Sequence, residues 1–244
     1  MTPTTVAAAL RALSAGDPAQ PLITYVGPAG ERTELSVRTF ENNVAKAANL
    51  LREDADAGPG TRVALLLPAH WQTSVWLAAC AAVGCAGWLD GDPSEPAVQV
   101  SVVGPARLDA ARAPLALATA LHPFGMPFDV PLASGLLDAA VEVRAHGDRF
   151  TPHDEVLGSA EWLVAGDRSW TQASALAEAA SLARDAGLRA GGRLLCDVTV
   201  SAHAVLAMLA VPLAVGGSVV LVADPRADRD VVAARERCDV VLAG

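Results

Sequence analysis

The sequence predicts an α/β fold of two similar βαβ lobes, each built on a parallel sheet and packed against the other. Three observations predict it. Residues 36–93 read as helix, glycine turn, strand, helix, strand, and the same order returns over residues 171–222, with Arg193 standing where Arg62 stood. Both copies close on Asp-Pro, at Asp92-Pro93 and Asp224-Pro225. The strand segments are unbroken apolar runs, the pattern of parallel strands covered on both faces by right-handed crossover helices.

In order, Leu22-Ile23-Thr24-Tyr25 and Arg32-Thr33-Glu34 flank Gly27-Pro28-Ala29-Gly30 and predict a β-hairpin with a four-residue loop. A helix follows over 36–52, capped by Ser36, with Phe40, Val44, Ala47, Ala48 and Leu51 on one face. After the turn Gly58-Pro59-Gly60 come a buried strand over 62–68, an Ala-rich helix over 71–83 and a short strand over 87–90. The second copy has a helix over 171–185 capped by Thr171, the turn Gly191-Gly192, a strand over 193–198, a helix over 202–215 and a strand over 218–222. Between the copies the pattern is less regular. It holds a strand over 98–103, a helix around 108–111 and an apolar run over 115–121. A loop then follows in which Pro123, Pro127 and Pro131 exclude regular structure. The chain reads as one domain, 1–244, with lobe one about 20–93, an irregular middle about 94–161 and lobe two about 162–244.

Composition narrows the function. Hydrophobic residues are 52% but aromatics only 4%, so Ala, Val and Leu must build the core. The net charge of −9 opposes nucleic acid and anionic membrane as partners. Cys80, Cys85, Cys196 and Cys238 show no CxxC spacing and no neighbouring His cluster, which predicts free thiols in a reducing cytoplasm. The uncharged stretch 204–223 is long enough to cross a bilayer. Pro212 and Gly216-Gly217-Ser218 divide it into a helix and a Val-rich strand, so no membrane span is predicted. The N-terminus lacks the basic region of a secretory signal.

Asp197, Ser201 and His203 gather at the strand-to-helix turn of the second copy, where open α/β sheets collect ligands. Ser201 has no Gly-x-Ser-x-Gly context for a nucleophile. His122, His146 and His153 fall in the middle segment without metal-ligand spacing, and neither a Gly-x-Gly-x-x-Gly nor a Walker A sequence occurs. Trp71, Trp76 and Trp88 read as packing residues.

With these residues in view, the chain resembles the N-terminal part of the adenylate-forming superfamily of acyl-CoA synthetases, peptide-synthetase adenylation domains and luciferases. The similar blocks are the hairpin over 22–34, the helix with Phe40, the segment Gly58-Pro59-Gly60-Thr61-Arg62-Val63-Ala64-Leu65-Leu66-Leu67-Pro68, the block 75–92 and the block 193–222. The Ala/Arg/Asp-rich composition is similar to that of a short actinobacterial type. The resemblance implies the N-terminal-domain fold of those enzymes. It also implies that a turn at Thr199, Ser201 and His203 lines a substrate pocket. Family enzymes carry a Ser/Thr/Gly-rich phosphate loop ending in Pro-Lys-Gly before the helix that corresponds to 171–185. Here that position reads Trp162-Leu163-Val164-Ala165-Gly166-Asp167-Arg168-Ser169-Trp170, with Asp167 where triphosphate would lie and Trp162 and Trp170 able to fill its space. Lys46, the only lysine, falls in a helical pattern. The sequence stops at Gly244, ahead of the family's Tyr-Gly-x-Thr-Glu segment, ribose-binding Asp and lid lysine.

The expectation is therefore a degenerate, truncated, non-catalytic domain with no catalytic, nucleotide-binding or metal residues and no cofactor. It would bind a small molecule or a protein. Two alternatives stay open: half of a split acyl-activating enzyme completed by another chain, and a structural homodimer assembled along the strand edge near Val240-Val241-Leu242.

Overall fold

A computed structural model describes residues 3–198 and 204–242. Chain order is α1 (Val6–Gly16), β1 (Pro21–Val26), β2 (Arg32–Ser36), α2 (Val37–Ala55), β3 (Arg62–Leu66), α3 (Trp71–Val83), β4 (Ala86–Leu89), β5 (Val98–Val103), β6 (Leu115–Ala118), β7 (Leu137–Asp138), α4 (Ala139–Glu142), β8 (Glu161–Ala165), β9 (Arg168–Thr171), α5 (Gln172–Asp185), β10 (Arg193–Asp197), α6 (Ala204–Ala207), α7 (Ala210–Val215), β11 (Ser218–Val222), α8 (Arg229–Glu236) and β12 (Val240–Leu242). The caps fall as the sequence predicts. Ser36 Oγ accepts from Thr39 N, and Thr171 Oγ1 accepts from Ser174 N.

Two parallel-rich sheets result, ordered β12-β10-β11-β1-β2 and β7-β6-β5-β3-β4-β8-β9. Among the described pairs only β1–β2 and β8–β9 run antiparallel. Helices α1, α2, α3, α5 and α7 pack between the sheets, so Leu22 and Ile23 of one sheet share a core with Val63 and Leu65 of the other. Outer faces are covered separately. Val232 of α8 meets Leu195 and Val220, and Leu108 lies over Ala64 and Leu66.

The sheets do not follow the two halves of the sequence. β1 buries every residue from Leu22 to Val26, so it needs neighbours on both sides; it pairs in parallel with β11 and carries β2 at the sheet edge. β8 likewise joins β4 through Gly87↔Leu163. The less regular middle supplies β5, the strand expected over 98–103, and beyond it β6 and β7 to the seven-stranded sheet. The helix expected around 108–111 is a kinked 3₁₀ turn, Pro105–Ala110.

The helix expected over 202–215 is broken into α6 and α7, and the reason is local. Pro212 has no N–H to give to the carbonyl of Met208, four residues back. That carbonyl instead accepts from Ser74 Oγ of α3 at 3.0 Å, and Leu209 leaves helical geometry at φ −149. Among the described residues no helix is long and apolar enough to cross a membrane.

Candidate functional site

In the seven-stranded sheet β3 leads through α3 to β4 on one side, and the chain then returns to β5 on the other. The strand order therefore reverses between β3 and β5, and beyond their carboxyl ends is where an open α/β sheet forms a crevice. A pocket of about 70 Å³ lies near these ends, lined by Asn43 and Ala47 of α2, Trp71, Gln72, Val75 and Trp76 of α3, Thr119 beyond β6, Gly125, and Ala139, Ala140 and Val143 around α4.

Three of the lining residues each carry a polar atom that is shut off from solvent and has no partner among the described residues: Trp71 Nε1, Gln72 Oε1 and Thr119 Oγ1. Trp71 is 6% exposed and Thr119 2%. Leaving one such atom unmet costs roughly 1–3 kcal/mol. Among the described residues no Lys, Arg, His, Asp or Glu lines the pocket.

His70 caps α3 beside this wall. Its Nδ1 accepts from Gln72 N at 3.1 Å, so the neutral ring carries its proton on Nε2, which is also buried and has no partner among the described residues. Burial pushes its pKa down to about 3. The ring meets Tyr25 of β1 edge-on at 4.3 Å between centroids, tying together the two sheets where β1 and β3 end. Over the pocket, the loop holding Gly125 is pinned to β2 by Thr33 Oγ1, which donates to Pro123 O at 2.9 Å.

The position where the resemblance implies a phosphate loop holds a tight hairpin. Ala165 pairs with Arg168 across Gly166 and Asp167, with Gly166 at φ +58. Arg168 donates to Glu178 at 2.8 and 2.9 Å and stacks on Trp170 at 4.3 Å, while Ser169 Oγ donates to Glu161 at 2.7 Å. The cation and hydroxyl of this segment are thus held by neighbouring carboxylates. Trp162 points into the core, where its Nε1 donates to Leu77 O at 2.7 Å, and Trp170 Nε1 donates to Glu178. Lys46 sits in α2.

The residues singled out for substrate binding, Thr199, Ser201 and His203, lie outside the described residues. Asp197, just before them, is held by Arg229, with Nε 2.6 Å from its Oδ2. His146 rests between Glu53 and Asp54 at 3.2 Å from each. Among the described residues no group of three His, Cys, Asp or Glu side chains could hold a metal ion. Sequence reasoning did not single out His70, Gln72 or Thr119; Trp71, read as a packing residue, is buried in the core and also lines the pocket. Only the cap position of His70, two residues past Pro68, was a usable signal.

No known protein-family model matches the chain. It is 38% identical over 232 residues to a TIGR03089 family protein of Mycobacterium tuberculosis (strain ATCC 25618 / H37Rv), covering 92% of each chain. The chain belongs to the TIGR03089 family. Among solved structures, this TIGR03089 member is similar to an acyl-CoA synthetase of Brucella canis (TM-score 0.77, 16% identity) and a fatty acyl CoA synthetase of Mycobacterium tuberculosis (TM-score 0.67, 18% identity). It is covered to 97% and 96% in these matches and spans 46% and 48% of the two synthetases. The acyl-CoA synthetase-like fold that the sequence blocks implied is present.

Proposed function

We propose that this TIGR03089 member is a non-catalytic binding protein on an acyl-CoA synthetase-like fold, taking a small-molecule ligand or a protein partner in the cytoplasm. One observation carries this reading: the segment where the resemblance implies a phosphate-binding loop forms the tight β8–β9 hairpin. Adenylation must stabilise the pyrophosphate leaving group with an array of N–H donors and cations. A two-residue turn around Gly166 and Asp167 offers no such cradle, and Arg168 is already paired with Glu178. The net charge of −9 keeps nucleic acid and anionic membrane out of the set of partners. Pyrophosphate exchange into ATP, assayed on the full chain with a broad carboxylate panel, tests the reading. Background exchange throughout is expected, and clear exchange with any acid overturns it.

A further inference from the structure

A cleft of about 420 Å³ opens on the five-stranded sheet and shares no residue with the pocket beside α3. Arg32 and Glu34 of β2, Arg193 of β10, and Arg235, Glu236 and Arg237 at the end of α8 line it. Their charged groups converge. Arg32, Arg193 and Arg235 come within 2.9, 3.4 and 3.2 Å of the Glu236 carboxylate, and Arg32 and Arg193 lie 2.7 and 3.4 Å from Glu34. Four guanidinium groups thus meet two carboxylates, an excess of two positive charges (four minus two) in a chain of net charge −9. The carboxyl end of α8 offsets about half a charge. Asp239, which accepts from Arg193 N at 2.7 Å outside the lining, offsets part of the rest, and the balance stays positive.

Arg237 points to what the cleft is for. It closes α8 at φ +55, a left-handed position that favours glycine, yet it is an exposed arginine whose side chain has no hydrogen-bond or ion-pair partner among the described residues. Backbone strain of this kind persists where the side chain has a use. The cations beside it are open to solvent as well, the Arg32 and Arg235 side chains being 43% and 56% exposed. We propose that this cleft binds a small phosphate dianion, held by Arg235 and Arg237 within the added field of Arg32 and Arg193. The proposal concerns a site apart from the pocket beside α3 and goes beyond the binding reading above.

The chemistry selects the anion. A phosphate group carries about −1.5 to −2 charges at neutral pH and three acceptor oxygens, so it can meet two guanidinium forks at once. A monocarboxylate brings one charge and two oxygens, which a single fork satisfies. A hydrocarbon gains little, because Pro21 is the one apolar side chain among the described lining residues. The volume lies in the range of small-ligand sites, roughly 300–1,000 Å³, and leaves room for a polar remainder on the phosphate.

The test titrates the ¹⁵N-labelled full chain with glycerol 3-phosphate, inorganic phosphate and acetate at fixed ionic strength, following amide and arginine side-chain resonances. Saturable shifts in the millimolar range or below are expected with the two phosphates and not with acetate. Tighter binding of glycerol 3-phosphate makes the ligand an ester, and tighter binding of inorganic phosphate makes it the free ion. Arg237→Gly should bind about tenfold more weakly or worse, having lost one charge-assisted contact, and Arg235→Gln several-fold more weakly. Arg11→Gln removes the same charge outside the lining and should stay within about twofold of wild type. A fold-only role for Arg237 predicts a lower Tm for Arg237→Gly with unchanged affinity; the proposal predicts an equal or higher Tm with affinity lost. No saturable shift with either phosphate, an equal response to acetate, or wild-type affinity in both cleft variants overturns it. A silent cleft would leave the adenylation reading standing, whereas pyrophosphate exchange would sink that reading and leave this one.

Discussion

Gly217 lies so near Gly192 that a Cβ built on Gly217 would stand 2.0 Å from the Gly192 carbonyl oxygen. The contact sits where β10 and β11 begin side by side, and the same oxygen accepts from Ser218 N at 3.1 Å. Gly217→Ala must therefore push two paired strands apart and is expected to cost at least about 2 kcal/mol, an overpacking penalty. Gly16, the last residue of α1, has nothing within 4 Å of its Cβ position and no positive φ. Gly16→Ala should stabilise by about 0.5 kcal/mol through the unfolded chain. Urea unfolding of both variants checks the contrast, and equal midpoints would refute it.

His70 predicts an acid sensitivity that no exposed histidine would give. Its folded pKa of about 3 lies below the ordinary 6.5, so between those values the unfolded chain takes up a proton that the folded chain refuses. Stability is therefore lost as pH falls from about 6.5, with a slope of up to about 1.4 kcal/mol per pH unit. Glu34 and Glu236, both held below the ordinary 4.5, add their own loss only in more acid solution. The window between about pH 5 and 6.5 thus belongs to His70. His70→Asn keeps a side-chain oxygen for Gln72 N and should flatten the slope there. Parallel wild-type and variant curves of unfolding free energy against pH would contradict this.

How much of this was legible beforehand depends on range. Ser36 and Thr171 announce their helices because a cap acts within a few residues. The unbroken apolar runs at 63–66 and 219–222 mark parallel strands because burial on both faces needs no knowledge of the neighbour. What could not be read is which strand pairs with which. β1 finds β11 nearly 200 residues away in the chain, and nothing local in Leu22 to Val26 says so. The pocket was hidden for the same reason. Thr119 reaches the wall built by Trp71 and Gln72 only after β6 has paired with β5 and β5 with β3. The hairpin at Gly166 was half visible, since the sequence there lacks the Ser/Thr/Gly-rich pattern that the resemblance implies while the turn between Ala165 and Arg168 was not foreseen.

Arg32 and Glu236 predict a second asymmetry. The Glu236 side chain is 5% exposed, and Arg32 Nε and Nη2 each donate to it at 2.9 Å, with Arg193 and Arg235 at 3.4 and 3.2 Å. The Arg32 hydrogen bonds hold the Glu236 carboxyl below its ordinary range. Removing the cation leaves a buried charge partly served by two other arginines, so Arg32→Ala should cost roughly 1–3 kcal/mol. The double change Arg32→Leu with Glu236→Leu removes both charges and should cost less than Arg32→Ala alone. Thermal unfolding at low and high salt decides it, and a double variant weaker than the single would refute the account.

The break between α6 and α7 predicts a coupling. Ser74 is fully buried, and its Oγ serves the Met208 carbonyl that Pro212 leaves without a helical donor. Ser74→Ala strands that carbonyl and should cost about 1–2 kcal/mol. Pro212→Ala restores an N–H that can reach the same oxygen if the helix closes. In the Pro212→Ala background the loss on Ser74→Ala should therefore shrink, with a coupling of at least about 0.5 kcal/mol in a double-mutant cycle. Helix content by circular dichroism should rise in the double variant, as α6 and α7 become continuous. Strict additivity with unchanged helicity would mean that Leu209, at φ −149, is held open by its own packing rather than by the proline.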